Sequence, residues 1–270
     1  YTVNASLLKD TSGRLSRILI VENNITQQKK TEDALQKNIQ EQQRLNSLKS
    51  RFVSFASHEF RTPLTTMSSS ADLIRKYLER GEQEKIEKHI SRIQHSVIYM
   101  TSLLNDFLSL DKIDSGVIQV NWQKVSLKKL FEECLEEVSG LKKPEQQIVI
   151  KCLVEEIESD PFLLMSILIN LISNGLKYSE SNGIVEVSAE KSNDEINIRV
   201  KDNGIGIPNH ELQNLFTRFF RASNAQEIKG TGLGLHIVSR HVGLLKGKIS
   251  CTSEEHQGTE FSIHLPIKIN

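Results

Sequence analysis

The sequence predicts a long helix and a helical hairpin that pairs with a second copy into a dimeric four-helix bundle, followed by an α/β sandwich. Three observations carry this. Apolar residues recur at helical spacing from Leu35 to Phe107, with an interruption at "LERGEQ". Beyond "DKIDSG" the pattern changes to alternating strand-like and helix-like segments, the order expected of a mixed sheet covered by helices. Finally, 270 residues at 38% hydrophobic content supply apolar side chains for a packed core.

The first 26 residues read as two β-like runs around a "DTSG" turn, too short to bury a core alone. Residues 27 to 55 lack proline and glycine and form a long helix, with apolar positions at Leu35, Ile39, Leu45, Leu48, Phe52 and Phe55. The last four follow a coiled-coil seam, and the frame shifts across Gln40 to Arg44. The stripe continues as Ala56, Phe60, Leu64, Met67, Ala71, Ile74 and Leu78, then resumes as Ile86, Ile90, Ile93, Val97, Met100, Leu104 and Phe107. Two such helices joined by a short turn make an antiparallel hairpin whose seams two helices cannot cover, so a homodimer is expected.

In the second half, "SLKKLFEECLEEV" is a helix opened by Ser126, and "QQIVIKCLV" is a strand. "DPFLLMSILINLISNGLKYS" is a helix capped by Asp160 with Pro161 at its first position. "GIVEVSAEKSNDEINIRVKD" and "GKISCTSEEHQGTEFSIHLPI" each read as a hairpin.

Lysine plus arginine equals aspartate plus glutamate at 34 each, so no global basic field favours nucleic acid or an anionic membrane, and phosphate binding must be local. Cys134, Cys152 and Cys251 lie far apart without metal-ligand spacing, which suits apolar positions in a reducing compartment. No run approaches the roughly 20 apolar residues of a membrane span. The start "YTVNASLL" is neither a signal peptide nor an initiator methionine, so a cytoplasmic part of something longer, without membrane contact, is expected.

The stretch "SFASHEFRTPL" sets the chemical question. His58 lies two residues from both Ala56 and Phe60, about 200° around a helix, and so faces away from the apolar stripe. Thr62 follows one turn on, and Pro63 removes the amide that would bond the carbonyl of Glu59, which bends the helix there. A neutral imidazole, with an ordinary pKa of about 6.5, is a usable nucleophile, and a neighbouring carboxylate can take its other proton. Taken alone, the stretch reads more readily as a surface histidine beside an acid, and a phosphoryl donor elsewhere in the chain decides between the two.

"DNGIGIP" (Asp202 to Pro208) and "GTGLGL" (Gly230 to Leu235) place glycines where backbone must approach a ligand, and the second leads into a helix whose N-terminal amides can receive phosphate. Neither matches a Walker loop or a dinucleotide fingerprint. Asn170, Asn174 and Lys177 fall at i, i+4 and i+7 on one otherwise apolar helix, a polar row that needs partners. Amide oxygens there can hold Mg²⁺ bridging phosphates, and Lys177 can pair with them.

These motifs together resemble the sensor histidine kinases of two-component systems over about residues 50 to 267. "HEFRTP" resembles the H-box, "NLISNGLKYS" the N-box, "DNGIGIP" the first G-box, "LFTRFFRA" the F-box and "GTGLGLHIV" the second G-box, in the family's order. The resemblance implies an α/β sandwich of the histidine kinase, gyrase, Hsp90 and MutL type that binds ATP with Mg²⁺. It implies His58 as phosphoacceptor, Glu59 as general base, and Thr62 as a residue serving phosphatase activity in some members. Asn170 and Asn174 fall on the Mg²⁺ side, with Lys177 beside the phosphates, Tyr178 next to adenine, and Asp202 accepting from the adenine amino group. Gly204, Gly206 and Ile207 belong to the first loop; Gly230, Thr231, Gly232, Leu233, Gly234 and Leu235 form the second. Residues 209 to 229 resemble the ATP lid, with Arg218 and Arg221 as phosphate contacts and Phe216 and Phe219 as apolar anchors. The implied partners are a second copy and the receiver domain of a response regulator.

The strands of residues 1 to 26 resemble the end of a PAS sensor domain, with Asn24 in "NNIT" in place of the usual aspartate; an isolated hairpin explains them equally. The expected division is 1–26 as this PAS-like end, 27–50 as a coiled-coil signalling helix, 51–114 as the dimerisation and phosphotransfer hairpin, and 117–270 as the ATP-binding domain. Two departures stand out: Gly175 where alanine is usual after the N-box asparagine, and His236 where alanine often follows "GLGL". Two other classes compete, a binding or phosphatase module without net kinase output and a gyrase-type ATPase. An intact Glu59 and Asn174 weigh against the first, and the hairpin of residues 50 to 110 against the second.

Overall fold

The computed structural model of the chain describes residues 2–9, 11–13, 15–23, 26–192, 194–226, 228 and 230–267, with backbone alone for 2–5, 15–23, 26–28, 32, 33, 41, 44, 45, 47–52, 54, 55 and 114. It divides into two units, residues 1–96 and 97–270.

In the first unit, β1 (Thr2–Lys9) and β2 (Leu15–Asn23) form an antiparallel hairpin with Thr2 opposite Asn23 and a register shift between Leu8 and Lys9. Asn24 lies outside the described residues, as do the side chains of Leu45, Leu48, Phe52 and Phe55 that formed the expected seam. A single helix, α1 (Thr26–Arg80), spans both the expected signalling helix and the first arm of the hairpin. It runs through Pro63 without interruption. Around the proline, hydroxyls bond back one turn: Thr62 to the His58 carbonyl at 3.3 Å, Thr65 to Arg61 at 2.9 Å and Thr66 to Thr62 at 3.0 Å.

Gly81 ends α1 with φ of 68°. The amide of Glu82 bonds the Tyr77 carbonyl and that of Gly81 the Leu78 carbonyl, a Schellman closure that requires a left-handed residue at Gly81. Helix α2 (Gln83–Asp114) follows and belongs to the first unit as far as Ser96. There it folds back on α1: Tyr77 stacks on His89 with centroids 5.6 Å apart, and buried His89 lies 3.3 Å from the Ser70 hydroxyl. Within the chain Ile86 is buried, whereas Leu64 and Leu78 remain exposed.

The second unit joins the rest of α2 to β3 (Gln123–Ser126), α3 (Leu127–Val138), β4 (Gln147–Cys152), β5 (Glu156–Ser159), α4 (Pro161–Tyr178), β6 (Ile184–Ser192), β7 (Glu195–Asp202), α5 (Gly234–Leu244), β8 (Lys248–Glu254) and β9 (Gly258–Pro266). The main sheet has the order β4-β6-β7-β9-β8, parallel only between β4 and β6. Alternation decides its faces. Val185, Val187 and Ala189 of β6, Ile196, Ile198 and Val200 of β7, and Phe261, Ile263 and Leu265 of β9 meet the buried stripes of α3, α4 and α5 in one core. The helical hairpin followed by a mixed α/β sandwich is therefore the architecture.

Asp160 caps α4 as expected, accepting from the amides of Phe162 at 2.9 Å and Leu163 at 3.1 Å, and its second oxygen accepts from Asn121 at 2.8 Å. Ser126 stands at the start of α3 without a side-chain capping bond. Gly175 acquires a reason: a Cβ there would sit 3.0 and 3.2 Å from the two methyls of Val185, so alanine would fit between α4 and β6 only with Val185 giving way by a few tenths of an ångström. Cys134 is buried, Cys152 and Cys251 are half-buried, and all three are free thiols. Burial pushes the Cys134 and Cys251 thiols up to about 12.

Candidate functional site

Two constellations carry the quoted motifs, one in each unit. On α1, the His58 side chain is 76% exposed, and its Nδ1 lies 3.3 Å from Glu59 Oε1. A carboxylate can only accept, so Nδ1 carries the proton and Nε2 keeps its lone pair. Glu59 is mostly buried, which holds the acceptor in place beside a ring that reaches solvent. Thr62 donates to the His58 carbonyl.

In the second unit, α4, the loop after β7 and the loop before α5 converge. Asn170 Oδ1 occupies the space that a Cβ on Gly234 would need, so the first turn of α5 lies directly on the amide. Lys177 Nζ donates to Tyr178 Oη at 3.2 Å and stands 4.7 Å from the centre of that ring, a cation over an aromatic face. It also fills the place of a side chain on Gly230. Asn174 is half-buried on the same helix. Asn170 and Lys177 thus both face the second glycine loop.

The first loop is held by backbone. Ile205 donates to the Tyr178 carbonyl at 3.1 Å, and Ile207 donates to Ser253 Oγ at 2.9 Å. Gly204 must lack a side chain because the Tyr178 carbonyl lies 2.6 Å from where its Cβ would be. Gly206 has φ of 66° and abuts the Glu254 carbonyl. At the base of the loop Asp202 is buried and accepts from the Gly204 amide at 2.9 Å. Burial raises its carboxyl to about 6, against bonds from the Gly204 and Thr259 amides that lower it.

Among the described residues no group of three His, Cys, Asp or Glu side chains could hold a metal ion. The amides of Asn170 and Asn174 fit Mg²⁺ only with phosphate oxygens and water completing its shell, which is how that ion is ordinarily held. The same residues, beside the first turn of α5, fit a nucleoside triphosphate better than a bare metal.

Two family models match parts of the chain. The His Kinase A (phospho-acceptor) domain matches residues 48–116, and the Histidine kinase-, DNA gyrase B-, and HSP90-like ATPase matches residues 159–269. The chain belongs to the sensor histidine kinases. It is 28% identical over 246 residues to the sensor histidine kinase RcsC of Escherichia coli strain K12, covering 88% of this chain and 25% of the relative. To the sensor histidine kinase WalK of Bacillus subtilis strain 168 it is 32% identical over 277 residues, covering 98% of this chain and 42% of the relative. The chain therefore spans from 25% to 42% of the length of these relatives. Histidine kinase ThkA, solved in complex with the response regulator protein TrrA, shares the fold at a TM-score of 0.58 and 19% identity, covering 98% of this chain and 75% of that one. Among the described residues no helix is long and apolar enough to cross a membrane.

The segment of residues 209–229, the expected lid of this histidine kinase, is anchored at several points among its described residues. Phe216 packs on the main core, and Phe219, with φ of 63°, packs on a second apolar cluster of Leu110, Ile113, Leu233 and Ile237. Gly232 allows that contact, since a Cβ would lie 2.8 Å from the Phe219 carbonyl carbon and from the Phe220 oxygen. Asn224 donates to the Gly206 carbonyl at 3.0 Å, tying the lid to the first loop. Arg221 Nη2 lies 2.7 to 2.9 Å from the carbonyls of Ala225, Gln226 and Ile228, so in this conformation it organises the lid itself. Arg218 Nε donates to His236.

Sequence reasoning missed Asp106. This carboxylate on α2 accepts from the Thr231 hydroxyl at 3.0 Å, at the second glycine loop. Burial raises its carboxyl, while the Thr231 bond and the charge of Lys177 lower it. Thr231 also accepts from the Leu233 amide at 3.1 Å. Nothing in the sequence around Asp106 marks it, because its partner lies 125 positions away.

Proposed function

We propose that this chain is the catalytic core of a protein-histidine kinase that transfers the γ-phosphoryl group of ATP to its own His58 and onward to an aspartate of a response-regulator receiver domain. The observation that carries the reading is the His58–Glu59 pair on an exposed helix face, in a chain that also holds a nucleotide-type site. With its Nδ1 proton directed at Glu59, the ring attacks phosphorus through the Nε2 lone pair. The bond from phosphorus to the β,γ-bridging oxygen breaks, ADP leaves, and Glu59 takes the Nδ1 proton that the ring can no longer hold. The product is a phosphoramidate; a carboxylate of the regulator attacks its phosphorus, the P–N bond breaks, and the proton returned to Nδ1 from Glu59 restores neutral His58.

At the nucleotide site, Asp202 would accept from the adenine amino group and Tyr178 would lie beside the base. Lys177 and the amides at the start of α5 would meet the phosphates. Mg²⁺ bound through Asn170 and Asn174 would supply charge neutralisation at the phosphates. Exposed Leu64 and Leu78 on α1, and exposed Val97 and Leu104 on α2, leave apolar surface that a second copy would cover, so the working form is a homodimer. Three free thiols suit a cytoplasmic location.

The Thr62 hydroxyl, on the exposed face one turn beyond His58, would orient water toward a phosphorylated regulator and give phosphatase activity. Its bond to the His58 carbonyl is long at 3.3 Å and exposed, so the cost of exchanging it is small. Incubation with γ-labelled ATP and Mg²⁺ tests the central claim. The label should be acid-labile and base-stable, and His58→Gln should abolish it while nucleotide binding persists. A label that survives His58→Gln refutes the assignment. Glu59→Ala should slow labelling by about 10²-fold. With a cognate regulator, Thr62→Ala should slow its dephosphorylation and spare labelling, whereas equal loss of both makes Thr62 structural.

A further inference from the structure

His236 stands in the first turn of α5, two residues beyond Gly234, at a position where "GLGL" is often followed by alanine. Both of its ring nitrogens reach the lid. Nδ1 lies 2.9 Å from the carbonyl oxygen of Phe216, and Nε2 lies 3.1 Å from Arg218 Nε. A carbonyl can only accept and a guanidinium can only donate. The neutral ring with hydrogen on Nδ1 therefore satisfies both partners, and neither the other tautomer nor the imidazolium does.

We propose that His236 is a positioning residue that fastens the ATP lid to the phosphate-binding end of α5 and fixes the plane of the Arg218 guanidinium before nucleotide arrives. This rests on the reading of the second unit as an ATP site. Two residues on one side of the lid are held by one ring: the Phe216 main chain, whose own side chain is seated on the core, and the Arg218 side chain. Because Nε is the bonded atom, the guanidinium cannot rotate about its last carbon bonds without breaking the contact. An arginine already restrained loses less freedom when phosphate binds, and the saving appears as affinity. Alanine at this position has no polar atom with which to do either job.

The test compares His236→Ala, His236→Gln, Arg218→Ala and the His236→Ala/Arg218→Ala double variant in the full chain, reading KM for ATP and the maximal rate of self-labelling. His236→Ala should raise KM about 5- to 10-fold with the maximal rate little changed. Glutamine should restore KM, because its amide nitrogen can donate to Phe216 and its amide oxygen can accept from Arg218. The double variant should lose clearly less than the sum of the two single losses, since part of the ring's effect runs through the arginine and part through the Phe216 carbonyl. Where the alanine variant does not fold, His236→Met fills the ring's space without a donor and should give the same rise in KM. An unchanged KM, a loss that glutamine fails to restore, or additive losses in the double variant each overturn the proposal while wild-type labelling stands. A wild-type chain that neither binds ATP nor labels itself overturns the underlying reading first.

Discussion

Asp202→Asn separates the stability of the nucleotide domain from its affinity. The carboxyl is buried, and its pKa is raised from 3.8 to about 6. Two units of upward shift correspond to roughly 3 kcal/mol of preference for the protonated form. Because the folded value lies above the unfolded one, this contribution to stability is fully present below about pH 4 and is lost as pH rises through 6. At pH 8 the free protein therefore holds a charge that burial disfavours, in readiness for a donor.

Asparagine removes that charge. Against the gain of roughly 3 kcal/mol stands about 1–3 kcal/mol for the weakened bond from Gly204 and for an amide group facing the Thr259 donor. The net expectation at pH 8 is about 0–2 kcal/mol of added stability, a rise in Tm of several degrees at most. By pH 5 the advantage should vanish. Affinity for ADP should move the opposite way, falling about 10- to 100-fold with loss of a charge-assisted bond to the adenine amino group. Calorimetric melting at pH 5, 6, 7 and 8, with ADP titrations at pH 7.5, measures both. The reasoning fails if the variant loses more than about 2 kcal/mol at pH 8, or if the difference from wild type does not depend on pH. Unaltered ADP affinity would remove Asp202 from the adenine site.

Gly175→Ala sets a helix gain of about 1 kcal/mol against crowding of the Val185 methyls worth about 1–3 kcal/mol, so thermal melting should show a loss of up to about 2 kcal/mol. A more stable variant would mean that β6 yields freely. Asp106→Ala should tighten nucleotide binding about 5-fold in calorimetric titration, because a hydrogen bond worth about 1 kcal/mol no longer competes for Thr231. Weaker binding would show that the Asp106–Thr231 bond supports the loop instead. Light scattering should find the chain dimeric at micromolar concentration and residues 117–267 alone monomeric; a monomeric full chain would leave the exposed apolar residues of α1 and α2 without a cover.

Local physics wrote much of this protein into its sequence. Alternation in β6, β7 and β9 assigned their faces, and Asp160 before Pro161 marked the start of α4, since caps and periodicity act over a few residues. The row Asn170, Asn174, Lys177 and both glycine loops were legible for the same reason. The bond from Thr62 to His58 was one of two readings available from spacing alone. The short ribbon of β3 and β5 was not visible: four residues carry too little alternation, and their stability comes from pairing Val125 with Ile157 and burying both. Gly175 looked like a weakened helix until Val185 stood against it. His236 looked like a harmless departure, yet its meaning lies in Phe216 and Arg218, 20 and 18 positions away. Asp106 was silent altogether. Such contacts depend on which surfaces the folded core brings together, and no pattern confined to one helix or loop encodes the identity of the surface it will meet.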